Sequence, residues 1–356
     1  MSTIISIGTA TPDYQHRQRD IMDFMLETLN PDEKTRKLLH VLYQRSGIDN
    51  RYSVLPDFSV EAANRSFFKS NSPSPSIDER MTIYIPKALD LSLKAIKNCL
   101  GSTDISEITH LITVTCTGLS APGLDILLLQ ALALRPTIVR TSVNFMGCYA
   151  AIHGLKLADA FCKSTPNAKV LVVCTELCTL HFQQANDLDA LLSSTLFADG
   201  SAACLVTSEP AKEGLAIHQF SSLVALQGKT DMAWNLSTTG FLMSLTNHVP
   251  QLVKAKIQEL LQNALVDLKL TQDEVVHWAI HPGGKNIVEA AQQALALPEA
   301  SLAPAYDVLR KFGNMSSPTI LFVLKTIMEK AKTNEPIFGV AFGPGITMES
   351  IVLSKS

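Results

Sequence analysis

Charge, aromatic side chains and long apolar runs are all scarce in this chain of 356 residues. Asp, Glu, Lys and Arg make up 18% of it, and 30 basic against 33 acidic residues leave a formal net charge of −3. That near balance argues against a polybasic nucleic-acid binder and against an acidic solvating tail. The longest apolar stretch, Ile126 to Leu134, has nine residues and is broken by Gln130, too short to span a bilayer. We therefore expect neither nucleic-acid binding nor integral membrane association. The N-terminal MSTIISIGTATPDYQ lacks a positive n-region and does not read as a signal peptide. Seven cysteines, an odd number spread from Cys99 to Cys204, read as reduced thiols of a cytoplasmic protein rather than a disulfide framework.

What the chain does have is 46% hydrophobic residues, enough for a large core, over a length that suggests about two domains at ~150 residues each. Short runs rich in Val and Ile, bounded by Gly, Pro, Ser or Asn, read as strands at Ile4–Gly8, His110–Thr115, Lys169–Cys174, Ala202–Val206, Val275–Ile280 and Phe338–Phe342. Between them, Pro86–Cys99, Ala150–Cys162, Val253–Leu268 and Thr319–Lys330 read as helices, with Pro86 suited to a first helical position. Alternation of this kind indicates an α/β protein with sheets covered on both faces.

The two halves resemble each other. HLITVTCTG, ending at Gly118, is similar to VHWAIHPGG, ending at Gly284, and the glycines are 166 residues apart. NFMGCYAAIHGLKLA around Cys148 loosely matches KFGNMSSPTILFVLK around Asn314, again at an offset of 166. Two α/β units can look alike by chance, but chance does not explain a shared offset, so we read a duplication. The polar stretch Thr207–Leu215 marks the junction, giving residues 1–208 with the cysteine and 209–356 with the histidine and asparagine.

Cys148 follows Gly147 and precedes a good helix former. A helix N-terminus there favours thiolate over thiol, so Cys148 is a candidate nucleophile with a depressed pKa. A buried Cys serving as a small hydrophobe is the ordinary alternative. His281 lies at a strand end before Pro-Gly-Gly, where α/β proteins present reactive groups, although a satisfied core histidine is common there too. His277 and His281 lie on one strand face about 13 Å apart, and Cys174 with Cys178 has the wrong spacing for a zinc knuckle, so no metal site is expected. Cys, His and Asn together can load an acyl group and then do carbanion chemistry on it. The thiolate attacks a thioester, and His and Asn donate to the oxygen that gains charge as a malonyl thioester loses CO2.

The segments IGTATP, TCTGLSAPGLD, NFMGCYAA, VVCTELCTLHF, LFADGSAACLV, IHPGGKNI, GNMSSPTILFVL and FGPGITMES, in this order, resemble the type III polyketide synthases over nearly the whole chain. This is the chalcone-synthase-like branch of the thiolase superfamily. The resemblance implies an α/β fold of the thiolase type, five-layered αβαβα and built from two related halves. It also implies a homodimer, acyl-CoA and malonyl-CoA substrates, and no cofactor beyond those thioesters. Cys148, His281 and Asn314 fall on the family's catalytic residues, and Phe197 on a gating phenylalanine. The cyclisation loop is AFGPG here, including Gly343, Pro344 and Gly345. Arg45 and Lys285 are the candidates for coenzyme A phosphates, whereas Lys34, Arg36 and Lys37 read as a solvated helix face.

Two departures bear on the substrate. The second gatekeeper phenylalanine of plant enzymes corresponds to Met243, a more adaptable wall. The cavity positions Thr117, Ala121, Cys178, His181 and Ser316 include small residues at 117, 121 and 178, similar to bacterial alkylpyrone and alkylresorcinol synthases. An acyl tunnel bounded by those three and a long-chain fatty acyl starter are therefore expected. The competing readings are a ketoacyl synthase III working on an acyl-carrier protein, and a non-catalytic acyl-binding protein of the same fold.

Overall fold

The computed structural model describes residues 2–69, 72–209, 211 and 213–356; within the polar junction, Pro210 and Lys212 lie outside the described residues. The first half contains β1 (Thr3–Ala10), β2 (Tyr14–Arg17), α1 (Gln18–Leu29), α2 (Glu33–Arg45), β3 (Asn50–Ser53) and α3 (Ile77–Leu100). It continues with β4 (His110–Thr115), α4 (Leu124–Ala131), β5 (Val139–Asn144), α5 (Ala150–Ser164), β6 (Lys169–Leu177), α6 (Leu188–Leu196) and β7 (Asp199–Thr207). The second half begins with β8 (Leu215–Val224), the hairpin β9 (Met232–Ser237) and β10 (Gly240–Leu245), then α7 (Val249–Leu265) and β11 (His277–Ile280). It ends with α8 (Lys285–Ala294), α9 (Ala303–Phe312), α10 (Thr319–Met328), β12 (Pro336–Gly343) and β13 (Thr347–Lys355).

Strand order makes the duplication visible. One half runs β1-β7-β6-β4-β5 and the other β8-β13-β12-β11. In each, the first two neighbouring pairs are antiparallel and the next is parallel. The two sheets meet only where Thr3 and Ile4 pair with Ala216 and Leu215.

Side-chain alternation along the strands sorts the interior into three cores, because successive residues point to opposite faces. On β6, Val170, Val172 and Cys174 face the central core, while Leu171 and Val173 face the core beneath α1, α2 and α3. On β12, Ile337 and Ala341 face the same central core, whereas Phe338, Val340 and Phe342 face the one under α7 and α8. Between the sheets lie α5 and α10. In α10 every residue from Thr319 to Leu324 is buried, as befits a helix with sheets on both sides. The layers are therefore helix, sheet, helix pair, sheet, helix: the five-layered αβαβα thiolase fold.

Most element bounds move by a few residues, and the largest shift is at α3. Pro86 does not open its helix; α3 starts nine residues earlier, at Ile77, where Ser76 and Glu79 form a reciprocal capping box. The cap satisfies backbone donors that would otherwise be orphaned, and burial of Tyr84, Ala88, Leu91 and Ala95 carries the helix through the proline.

Candidate active site

Cys148 sits between β5 and α5, in a turn made by left-handed backbone at Phe145 (φ 61) and Gly147 (φ 83). Only glycine fits the second of these: a Cβ there would lie 2.3 Å from Cδ of Pro344. Gly343 is similarly constrained, since its Cβ would fall 2.5 Å from the Tyr149 ring. The Gly-Pro-Gly loop thus packs directly on the turn that carries the thiol. Of its three residues Pro344 lines the cavity; Gly343 and Gly345 do not, and Gly343 serves the close approach instead.

His281 follows the last residue of β11, with its backbone N–H donating to the Val340 carbonyl at 2.9 Å. Its imidazole is 1% exposed, and neither ring nitrogen has a hydrogen-bond partner among the described residues. Asn314 is fixed through its backbone, which exchanges bonds with Leu196 and Ala198, and through its amide. Oδ1 accepts from the Ser316 N–H at 2.8 Å, and Nδ2 donates to the Gly283 carbonyl at 3.1 Å. One amide hydrogen stays uncommitted. Cys148 Sγ lies 4.0 Å from Asn314 Oδ1.

These three residues line one cavity of about 540 Å³. Thr117, Cys178, Phe197, Met243, Ser316 and Pro344 also line it, with Arg45 and Lys285 among the exposed residues of its wall. A second cavity of about 370 Å³ adjoins it, and Cys178, Phe197, Trp234 and Met243 line both. Ile21, Met25, Phe58, Phe182 and Phe241 make this inner chamber largely apolar.

Two of the expected cavity positions, Ala121 and His181, take other roles. Ala121 is exposed on the loop after β4 and lines neither cavity, so it does not bound the chamber within this chain. Small size at position 121 says nothing about which way that loop faces. His181 borders the inner chamber but is committed to the wall. Its Nδ1 accepts from the Phe241 N–H at 3.1 Å, so the proton is on Nε2, which donates to the Thr117 carbonyl at 2.7 Å. Burial drives its pKa down to about 3, so it is a neutral strut. The Thr117 hydroxyl is also spent, donating to Glu176 at 2.8 Å and accepting from the Leu177 N–H.

The expected depression of the Cys148 pKa is not what its surroundings produce. Burial pushes the thiol up to about 11, and the nearby Glu176 carboxylate adds to this. Hydrogen bonding to Ser316 and Asn314 works the other way and loses. The thiol lies two residues before Ala150, the first residue of α5. Burial likewise takes His281 down to about 3. Desolvation thus favours the neutral form of both the thiol and the imidazole in the unliganded site.

Sequence reasoning passed over Glu176. This carboxylate is fully buried at the end of β6, where its pKa is raised by desolvation. It accepts from the hydroxyls of Ser317 (2.6 Å) and Thr117 and from the Cys116 N–H (2.9 Å). The signal was available: one acid inside the otherwise apolar run VVCTELC is a buried carboxylate, which needs partners. Trp234 was also missed. Its Nε1–H donates to the Cys116 carbonyl at 2.7 Å and pins the β9–β10 hairpin as the partition between the chambers.

A cysteine, an unengaged histidine and a half-free amide in one cavity suit acyl transfer followed by stabilisation of an enolate. Comparison with known proteins agrees. The sequence matches the chalcone and stilbene synthases, N-terminal domain over residues 1–210 and C-terminal domain over residues 217–356. It is 31% identical to the alpha-pyrone synthesis polyketide synthase-like Pks18 of Mycobacterium tuberculosis, over 99% of this chain and 91% of that protein. The structure superposes on PKS-I of the brown alga Ectocarpus siliculosus with a TM-score of 0.90 and 28% identity, covering 100% and 98% of the two chains. It does so equally on the C-terminal type III polyketide synthase domain of Steely1 from Dictyostelium, at TM-score 0.90 and 26% identity, with 99% of each chain covered. Among the described residues no helix is long and apolar enough to cross a membrane. The chain belongs to the chalcone and stilbene synthase family and is a type III polyketide synthase, an acyl-transferring enzyme.

Proposed function

We propose that this synthase takes a long-chain fatty acyl-CoA as starter, extends it with malonyl-CoA and releases an alkylpyrone or alkylresorcinol. The observation that carries this reading is the apolar inner chamber of about 370 Å³ sharing a wall with the catalytic cavity. A fatty tail threaded past Cys178 and Met243 would be buried there at a gain of ~0.8 kcal/mol per methylene. The relative described as an alpha-pyrone synthesis enzyme supports the same class of product.

Cys148 loads the acyl group. As its sulfur attacks the thioester carbonyl, His281 takes the thiol proton and passes it to the departing coenzyme A sulfur. One carbon–sulfur bond forms and one breaks. Malonyl-CoA then binds with its thioester oxygen toward His281 and the uncommitted Asn314 N–H. Loss of CO2 leaves an enolate whose charge those donors hold, and its carbon attacks the acyl–Cys148 carbonyl. A carbon–carbon bond forms and the thiolate is released, ready for another round. A carboxylate in place of Asn314 would repel the enolate; an amide does not. Arg45 and Lys285 would meet coenzyme A phosphates, and every step uses only this chain and the two thioesters. We also infer a homodimer, for which the outer edge of β5 and the exposed Leu119 and Val139 offer a surface.

Mass spectrometry of products from a panel of acyl-CoAs with malonyl-CoA tests the reading. Products should shift in mass with the starter and be strongest for long aliphatic chains. A preference for aromatic starters would overturn the long-chain assignment.

A further inference from the structure

Arg80, on α3, is completely buried and lines neither cavity. Among the described residues it has no ion-pair partner; Glu79, whose charge reaches it, is spent on the Ser76 cap. Burial lowers its pKa to about 10, which leaves the guanidinium charged at neutral pH. A buried charge without a counter-charge is unfavourable, and a methionine would fill similar space without that penalty. The guanidinium instead collects backbone carbonyls. Nε donates to the Pro75 carbonyl at 3.0 Å, and Nη1 donates to the carbonyls of Leu180 and Phe182, the latter at 3.1 Å. Nη2 has no partner among the described residues. The side chain also backs the β9–β10 hairpin: a Cβ on Gly240 would lie 3.0 Å from Nε and 3.1 Å from Cδ.

These contacts meet behind the wall of the inner chamber. One side of that wall is the segment after β6, carrying Cys178 and His181; the other is the hairpin, carrying Trp234, Phe241 and Met243. Three contacts join the sides. The Phe241 N–H donates to His181 Nδ1 at 3.1 Å, Gln183 Nε2 donates to the Thr239 carbonyl at 2.9 Å, and the His181 and Phe241 rings stack at 4.2 Å. Arg80 holds the first side at Leu180 and Phe182, which flank His181, and abuts the second at Gly240, next to Phe241. We propose that Arg80 is a positioning residue for starter selection, fixing the spacing between the Cys178–Phe182 segment and the β9–β10 hairpin and hence the passage open to an acyl tail. The proposal rests on the reading that the tail lies in the inner chamber. A carbonyl clamp suits this task because it holds backbone, and a charged donor binds carbonyls more strongly than a neutral one. An apolar residue at position 80 would leave the carbonyls of Pro75, Leu180 and Phe182 without that donor and the segment free to shift against the hairpin. The reactions at Cys148, His281 and Asn314 do not run through Arg80, so short starters should not feel the change.

The test is steady-state kinetics of Arg80→Met, Arg80→Lys and Gly240→Ala with hexanoyl-CoA and dodecanoyl-CoA, beside CO2 release from malonyl-CoA alone and Tm. Arg80→Met should lower kcat/KM for dodecanoyl-CoA by roughly tenfold or more, mainly through KM, while hexanoyl-CoA use and CO2 release stay within about twofold. Arg80→Lys, which keeps a charged donor, should recover part of the dodecanoyl loss. Gly240→Ala, which presses on the clamp from the hairpin side, should lower dodecanoyl use selectively. Equal losses on both starters that track Tm would overturn the proposal, as would an unchanged dodecanoyl KM in Arg80→Met. If Arg80→Met does not fold, the other two variants decide: selective loss of dodecanoyl use supports the proposal, and parallel or absent loss overturns it. A wild type that uses dodecanoyl-CoA no better than hexanoyl-CoA would instead overturn the chamber reading on which the proposal rests.

Discussion

Plugging the inner chamber should turn this enzyme's starter preference into a ruler. Cys178 is 7% exposed and lines both cavities, whereas Ala190, on α6, lines only the inner one. A phenylalanine at 178 stands in the wall the two cavities share, and one at 190 in the wall of the inner cavity alone. Each methylene shut out forfeits ~0.8 kcal/mol, close to fourfold in kcat/KM. A plug that removes room for six methylenes therefore costs about 5 kcal/mol, or roughly three thousandfold. The assay is kcat/KM across even-numbered acyl-CoAs from hexanoyl to stearoyl, for wild type, Cys178→Phe and Ala190→Phe. Wild type should climb with length and then level off. Cys178→Phe should level off at the shortest chains, Ala190→Phe at intermediate ones, and hexanoyl-CoA should serve all three. Overpacking of an ordinary wall would look different, costing ~1–3 kcal/mol of stability and depressing every starter alike. Parallel losses at all lengths with a lowered Tm, or a flat wild-type profile, would refute the chamber's role as the site of the acyl tail.

Other expectations concern the chemistry. Asn314→Ala should leave Cys148 loading largely intact but slow CO2 release from malonyl-CoA by about a hundredfold or more, since one donor to the developing charge is worth ~3 kcal/mol; normal CO2 release with poor loading would reverse the roles assigned. His281→Ala should damage both steps, which radiolabelled acyl transfer and CO2 capture can measure separately. In free enzyme, iodoacetamide labelling of Cys148 should keep rising with pH toward the raised pKa of about 11, because the raised value leaves the thiol protonated below it. A labelling rate already level at pH 7 would mean that a thiolate–imidazolium pair pre-exists. Gly147→Ala should cost about 1–3 kcal/mol in urea unfolding, because its φ of 83 and the 2.3 Å approach to Pro344 both exclude a Cβ; an unchanged midpoint would show that the turn can relax.

Most strands legible in the sequence were buried on both faces, although β13, buried almost throughout, was not among them. The runs in β4, β6, β7 and β12 are buried almost throughout and mostly apolar, because each lies between a helix layer and the central core. β5 and β8 escaped because exposed and half-buried residues such as Arg140, Thr141, His218 and Gln219 dilute the pattern. The β9–β10 hairpin was missed for the same reason: it packs as a partition, and apolar periodicity reports only on cores. The repeat at one offset was legible because it brings equivalent turns, at Cys148 and Asn314, toward one centre. The state of the thiol was not, since the sequence shows a following helix but not how much water the fold removes. Nor could small size at Ala121 and Cys178 separate a loop facing outward from one facing a chamber.

The two central helices have a mechanical consequence. α5 begins two residues after Cys148 and α10 five residues after Asn314, and both are clamped in the one core that the two sheets share. Nucleophile and enolate donor therefore belong to different halves of the molecule, registered against each other by a joint of interlocking aliphatic side chains together with the backbone bonds of Asn314 to Leu196 and Ala198 and the Ser317–Glu176 bond. Any slip along that joint is read directly at the 4.0 Å gap between sulfur and amide. A residue such as Val323 or Leu155, far from any substrate, thus sets alignment tolerance as well as cohesion, and loosening it should blur the timing of condensation before the chain begins to melt.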